Sequence, residues 1–332
     1  MAQLFSISSV AKKIFPYMVF FLFVTGSAAL LFTACSNDTV NPEQIVILVP
    51  PSTSSIPFYD LADRDPVEGT DIIVKTFTQH PQALALLLKG DADFILTGTT
   101  QGWESYWSGN AITSVSSYVW GVSSLCIKDT AIRSIHDLKN RKIALPFKNS
   151  PLDIQTRIIL TKTGLKPDSD VEIVYSAFTA SIGLLQQEKV DAVALPEPLA
   201  TNMVQNKGLT RLFEYVDAWK GVTGNDGFSP QVTLFGLTDK LNRLNHFATA
   251  LHDELGKSIS MIQHDPKVYA EKYQKDFNLP AGVIEESLLH TSFIAAPFDE
   301  HKQLMLDYYE IIKSYLPVKS QGFNNSFFFQ KR

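Results

Sequence analysis

Lys142–Phe147 reads KIALPF, Val171–Tyr175 reads VEIVY and Asp191–Leu195 reads DAVAL. Each is a short apolar run bounded by charged or turn-forming residues, the length of a buried strand rather than of a helix. Helical stretches lie between them, at Pro151–Thr163 and Thr179–Glu188. Strand, helix, strand, helix, strand predicts a mostly parallel sheet with helices on both faces, an α/β fold.

The same texture extends upstream. Gln44–Pro50 (QIVILVP), Thr70–Phe77 (TDIIVKTF) and Asp93–Thr97 (DFILT) read as strands. His80–Lys89 reads as a helix, with Pro81 suited to its first turn. Ala85–Thr99 (ALLLKGDADFILTGT) and Gly183–Glu197 (GLLQQEKVDAVALPE) echo one another. Either the chain holds two similar α/β lobes, or two helix-to-strand units look alike by coincidence. Downstream, Pro230–Leu237 is a strand candidate and residues 239–315 are mainly helical. In Asn245–Met261 and just beyond, Phe247, Leu251, Leu255, Ile259 and Ile262 recur near the helical period. Pro266–Phe277 and Asp299–Leu316 are further amphipathic helices. The tail Gly322–Arg332 has no clear period, and Phe327–Phe329 are candidates to dock on the body.

The totals exclude several classes. The chain has 332 residues, 45% hydrophobic and 19% charged, with a formal charge of −5. That is enough apolar material for one large or two medium domains, and the chain is not intrinsically disordered. Neither a basic surplus nor basic runs mark a nucleic-acid partner. Two cysteines exclude a disulfide framework and weigh against a Cys-based zinc site.

The first 34 residues differ from the rest. They hold Lys12 and Lys13, no acid, and an apolar run from Ile14 to Ala34. A basic start, an apolar stretch and small residues form a secretory signal. Leu31-Phe32-Thr33-Ala34-Cys35 resembles a bacterial lipobox, with Phe32 where the pattern has Leu. That resemblance implies cleavage before Cys35 and a diacylglycerol on its thiol. Residues 35–43 would then be a lipidated tether. The alternative is an uncleaved membrane anchor, since the run is long enough to span a bilayer. Either way the remainder is held at a membrane outside the cytoplasm. Without the two lysines it carries 27 basic and 34 acidic residues, a charge of −7.

Catalytic motifs are mostly absent: no nucleophile elbow, zincin helix, Walker loop or dinucleotide fingerprint. The seven histidines are scattered, and His246 and His252 point to different faces of one helix. Cys126, in an apolar run, reads as an inert core thiol. Neither a metal nor a cofactor is expected. What remains are strand-to-helix junctions, where open α/β sheets hold their ligands. Four qualify. The first, Pro51–Pro57, offers Thr53 and Ser54; the second, closing the strand at Thr97, runs through Gly98–Trp103 and offers Thr99 and Trp103. The third, Lys148–Asp153, offers Asn149 and Ser150, with Ser150 and Asp153 spaced to cap a helix. The fourth, Pro196–Pro198, offers Glu197. Ordinary polar turns and well-capped helices have the same composition. Trp103 and Trp120 are the preferred aromatic walls, although such residues more often pack in a core.

SIHDLKNRKIALPFKNSPLDIQTRIILTKTGLKPDSDVEIVY followed by GLLQQEKVDAVALPEPLAT resembles substrate-binding proteins of ABC importers, in the nitrate/sulfonate/taurine and thiamine-precursor branch. The pattern rests on Asp137-Leu138-Lys139, Lys142–Leu145, Asn149-Ser150, Gly164-Leu165, Asp191-Ala192 and Glu197-Pro198, with GDADFILTG at 90–98 as the matching first-lobe element. The resemblance implies a type II periplasmic-binding-protein fold, two α/β lobes joined by two crossing strands. The crossings would fall at Ser123–Ile127 and Gln231–Phe235, with lobe one at 44–124 plus 234–332 and lobe two at 125–233. Thr233 would lie near the cleft. The partners implied are a small-molecule ligand, an ABC permease with its cytoplasmic ATPase, and a membrane reached through the N-terminal lipid; the chain would act as a monomer. A yeast pyrimidine-synthesising enzyme shares the fold but uses a Cys-rich iron site absent here, which argues against an enzyme. The alternatives are a secreted enzyme acting on a small heterocycle and a receptor feeding a sensor. No Arg lies at the four junctions, and aromatics with Ser, Thr and Asn favour a small organic or heteroaromatic ligand.

Overall fold

Strand β1 (Glu43–Val49) shows how the sequence builds its layers. Successive side chains of a strand point to opposite faces. Ile45, Ile47 and Val49 therefore join one apolar cluster, while Val46 and Leu48 meet another. A strand apolar on both faces needs helices on both sides, and the chain supplies them. The computed structural model describes residues 43–224, 229–294, 296, 298–317 and 322–331. The signal segment 1–34 and Cys35 lie outside the described residues, as does the tether except Glu43, which opens β1.

After β1 the chain forms α1 (Ile56–Arg64), β2 (Thr70–Thr76), α2 (His80–Lys89), β3 (Phe94–Gly98), α3 (Thr99–Trp107) and β4 (Ile112–Gly121). One residue, Val122, separates β4 from β5 (Ser123–Ile127), which belongs to a second sheet. There follow β6 (Arg141–Leu145), α4 (Pro151–Lys162), β7 (Val171–Tyr175), α5 (Phe178–Gln186), β8 (Ala192–Pro196), α6 (Leu199–Lys207), β9 (Thr210–Glu214) and α7 (Tyr215–Thr223). β10 (Val232–Leu237) returns to the first sheet. The chain continues through α8 (Thr238–Arg243), α9 (Asn245–His264), α10 (Pro266–Phe277), α11 (Ala281–Leu289), β11 (Ser292–Phe293) and α12 (Phe298–Ile312).

The strand orders are β11-β4-β10-β3-β1-β2 and β7-β6-β8-β5-β9. β1 is parallel to β2 and β3, and β6 is parallel to β7 and β8. β10 runs antiparallel to β3 and β4, and β5 antiparallel to β8 and β9. The six-stranded sheet lies between α1, α9, α10 and α11 on one face and α2, α3 and α12 on the other. In the five-stranded sheet Ile143, Leu145, Ala192 and Ala194 face α4 and α7, while Ala144, Val193 and Leu195 face α5 and α6.

The expected mixed α/β architecture is present. The strands read from the sequence appear as β1, β2, β3, β6, β7, β8 and β10, displaced by at most two residues at either end. β4 was not expected. Its serines disguise it, yet all are buried and bonded: Ser114 Oγ to His301 Nε2 at 3.0 Å, Ser116 Oγ to His252 Nδ1 at 3.2 Å, Ser117 Oγ donating to Val232 O at 3.3 Å. The tail docks as a short edge segment. Phe328 bridges Ser114, Phe329 N donates to Ser114 O at 2.9 Å, and Phe327 is fully buried.

Candidate functional site

The carboxyl ends of β1 and β3 in one sheet meet those of β6 and β8 in the other. Thr53 N, after β1, donates to Glu197 O, after β8, at 3.2 Å. Thr100 Oγ1, in the first turn of α3, donates to Asn149 O, after β6, at 2.7 Å. The His80 ring lies 6.0 Å from that of Phe147. The His290 and Glu214 side chains pair beside them, as α11 reaches β9. All four junctions expected from the sequence thus touch directly across the gap, the first with the fourth and the second with the third, and Ser150, beside Asn149, caps α4 at the same place.

The first junction is a tight turn. Ser52 caps the 3-10 turn Thr53–Ser55 that leads into α1. Tyr118 Oη donates to Ser54 O at 2.8 Å, and Thr53 Oγ1 lies 2.7 Å from Thr291 Oγ1. Ser54 Oγ is fully buried and has no hydrogen-bond partner.

The second junction is a threonine ladder. Thr97 Oγ1 meets His80 Nδ1 at 2.8 Å, Thr99 Oγ1 meets Thr233 Oγ1 at 2.8 Å, and Thr99 N donates to Gln231 O at 3.1 Å. Burial pushes the His80 pKa down to about 4, so the ring is neutral at ordinary pH. Gln101 folds back over Gly98: a Cβ there would lie 1.8 Å from Gln101 Oε1 and 3.2 Å from Pro151 Cδ. Gln101 Nε2 is buried without a partner. Gly102 is required because α3 rests its backbone on Phe235, whose ring would lie 2.1 Å from a Cβ.

The third junction caps α4 as expected. Ser150 Oγ accepts from Asp153 N at 3.1 Å, and Asp153 Oδ2 accepts from Asn149 N at 2.8 Å. Asn149 takes a left-handed backbone, φ +63°, which Asn tolerates better than most residues. Its side chain bonds Glu104, whose pKa burial raises and this bond partly restores. At the fourth junction Glu197 is fully buried. Its Oε1 accepts from Arg211 Nη2 at 2.8 Å and its Oε2 from Thr201 N at 3.1 Å.

The two tryptophans are placed differently. Trp103 has no exposure; its ring lies 5.0 Å from Phe323, 5.8 Å from Tyr308 and 6.0 Å from Trp107. It packs α3 against α12 and the tail rather than walling the gap. Trp120, at the end of β4, is half-buried, and its carbonyl accepts from Ser229 Oγ at 2.7 Å. Sequence reasoning missed His80 and Gln155, and it did not single out Thr100 and Gln101 within the second junction or Gln231 at the start of the return crossing. The end of β2 was a fifth junction that the same rule would have found, and it carries His80. Gln155 and Gln231 gave no local signal for their pairing.

Among the described residues no group of three His, Cys, Asp or Glu side chains is placed to hold a metal. Burial pushes the Cys126 thiol up to about 12. Among the described residues no helix is long and apolar enough to cross a membrane.

Two three-layer α/β units, joined after β4 and before β10 with their strand ends face to face, make this the periplasmic-binding-protein fold. An ABC transporter structure from Parabacteroides distasonis is similar, with a TM-score of 0.71 and 20% identity over 87% of this chain and 99% of that one. So is the alkanesulfonate-binding protein SsuA from Xanthomonas axonopodis pv. citri bound to MOPS, at TM-score 0.66 and 20% identity over 84% and 96%. A Candida albicans protein described as having the generic periplasmic binding protein fold matches at TM-score 0.61 and 11% identity, over 86% and 93%. Residues 67–221 match a family model described as NMT1/THI5 like. No protein of curated function matches.

Proposed function

We propose that the protein is a solute receptor that delivers a small organic molecule to an ABC importer from the outer side of a bacterial membrane. The observation that carries this reading is the meeting of Thr53 with Glu197 and of Thr100 with Asn149. Ligands of open α/β sheets bind at strand carboxyl ends, and here two sets of such ends oppose each other. Two lobes, 44–124 plus 234–332 and 125–233, would close on the ligand by a hinge at the two crossings. Thr53, Ser54, Thr97, Thr99, Asn149, Ser150, Glu197 and Thr233 form the cleft, with Trp120 at its edge. Cys35 carries the lipid, and the receptor works as a monomer with a permease and its ATPase. Support comes from the fold and from the family pattern over residues 67–221.

A thermal-shift screen tests the ligand part. A bound solute at 100 times its Kd adds about 2.7 kcal/mol of stability. Uncharged pyrimidines are expected to raise the melting temperature; if pyrimidines, sulfonates and nitrate all leave it unmoved, the ligand reading fails. Metabolic palmitate labelling tests the anchor. Label is expected on the wild type and absent from Cys35→Ala; label that survives the substitution removes the lipidation reading.

A further inference from the structure

His290 ends α11 in one unit, and its ring reaches the other. Nδ1 lies 2.5 Å from Glu214 Oε1 on β9, and Nε2 lies 3.2 Å from Glu286 Oε1, one turn back on α11. An ionised carboxylate only accepts, so both ring nitrogens must donate, and the form that fits is the imidazolium. A cation is also favoured at this place, the C-terminus of a helix. The charged groups of the elements that meet here are Glu285 and Glu286 on α11, Lys207 at the end of α6, Arg211 and Glu214 on β9, and Asp217 in the first turn of α7. Among the described residues only Glu214 and Glu286 come within ion-pair distance of the ring, and Arg211 is held by Glu197. The three side chains straddle the crossing from β4 to β5. Glu214 pairs with Ser124 just after it, and Ser292, two residues past His290, pairs with Gly121 just before it. Thr291, the next residue, touches Thr53, whose N–H donates to Glu197 O across the gap. Glu214 also has a second place to go: it precedes α7, and its side chain does not cap that helix.

We propose that Glu214, His290 and Glu286 form a proton-operated brace across the hinge, which holds the two lobes together while His290 is charged and lets them part as pH rises. The inference rests on the receptor reading above and names the regulation of its cleft. Imidazole is the side chain that ordinarily changes charge between about pH 5 and about pH 8. Loss of its proton removes one donor, so one of the two bonds must break, and two carboxylates are left facing each other across a neutral ring. Like charge then drives Glu214 away, and the N–H groups that open α7 receive it. The brace is therefore complete in mild acid and lost in mild alkali. A state stabilised by the brace gains population at the lower pH, and the closed cleft holds its solute more tightly there.

The test uses the full chain in mild detergent, carrying Cys35→Ala, Gln82→Cys and Ala180→Cys. Nitroxides on the two new cysteines sit on exposed first turns of α2 and α5, beside the sheet edges β2 and β7. Cys126 is buried and stays unlabelled. The distance between the labels is read by pulsed electron spin resonance at about pH 6 and about pH 8.5, without solute. His80, whose pKa is pushed down to about 4, stays neutral over that range. With His290 in place, the population at long distance is expected to be about threefold larger at the higher pH. His290→Gln is expected to be open at both, and His290→Lys, whose charge persists, closed at both. A distribution that does not move with pH when His290 is present overturns the inference, and so does a His290→Gln chain that still follows pH. If either His290 variant does not fold, Glu214→Gln, expected to be open at both, takes its place. The receptor reading fails separately: lobes that answer to pH in a protein whose melting no solute shifts remove the receptor and leave the brace standing.

Discussion

Gln231 Nε2 donates to Gln155 Oε1 at 2.8 Å, inside the protein and across the two sheets. Gln231 precedes β10, the return crossing, and its Oε1 accepts from Val122 N at 3.0 Å, the residue of the outward crossing. Gln155 lies on α4 and donates from Nε2 to Tyr308 Oη on α12 at 3.3 Å. One buried chain of amides thus ties both crossings to a helix of each unit. Apolar contact continues it: Trp219 on α7 lies 5.6 Å from Tyr308, and Ile154 and Ile158 of α4 share the cluster of α12. Gln155→Leu leaves the Gln231 amide without its acceptor and is expected to cost about 1–3 kcal/mol in urea unfolding. Gln155→Leu with Gln231→Leu is expected to cost less than the two single changes together, because neither orphans the other. Additive losses would show that the pair is not coupled.

Gly102 is fixed by Phe235. A methyl at 102 falls 2.1 Å from the ring, so Gly102→Ala is expected to lower stability by about 1–3 kcal/mol through overpacking. Phe235→Leu in the same chain should recover part of that loss, read as the denaturation midpoint. A Gly102→Ala chain as stable as wild type would show that α3 does not rest on Phe235.

Stability is expected to fall as the solution is acidified below neutrality. Burial pushes His301 down to about 3 and His80 to about 4, against 6.5 for an exposed ring. Below pH 6.5 the unfolded chain takes up protons that the folded chain refuses, so acid favours unfolding. The window runs from about pH 6.5 down to about pH 4 for His80 and about pH 3 for His301, with a slope of up to about 1.4 kcal/mol per pH unit for each ring. His301→Gln is expected to remove about one proton from that slope in urea titrations across the window. An unchanged slope would reject the assignment to His301.

The backbone at Asn149 separates two causes of weakness in its substitutions. Asn149→Gly keeps the left-handed conformation and loses only the bond to Glu104. Asn149→Val must hold φ +63° with a β-branched side chain and is expected to cost about 1–3 kcal/mol more than the glycine variant. Equal stabilities would mean that the turn relaxes.

Cys126 should resist thiol reagents in the folded chain and react once urea is added, because it has no exposure and its pKa is pushed up to about 12. Labelling of the native protein at Cys126 would contradict the burial.

The sequence by itself determined the layers. Apolar runs such as VEIVY and DAVAL, alternating with capped helices such as SPLD at 150–153, can bury their faces only in a sheet covered on both sides. It also located the junctions, because ligand sites follow from strand direction. Only the tertiary structure decided what each junction residue does. Trp103 and Trp120 have the same chemistry, yet one is core, enclosed by α12 and the tail, and the other half-exposed. The serines of β4 hide the strand from its local sequence because their partners, His252 and His301, lie more than 130 residues away. Gln155 and Gln231, 76 positions apart, carry no pattern that foretells their pairing. Periodicity is a local property that the chain writes residue by residue; a side chain's partner is set by which distant element folds against it.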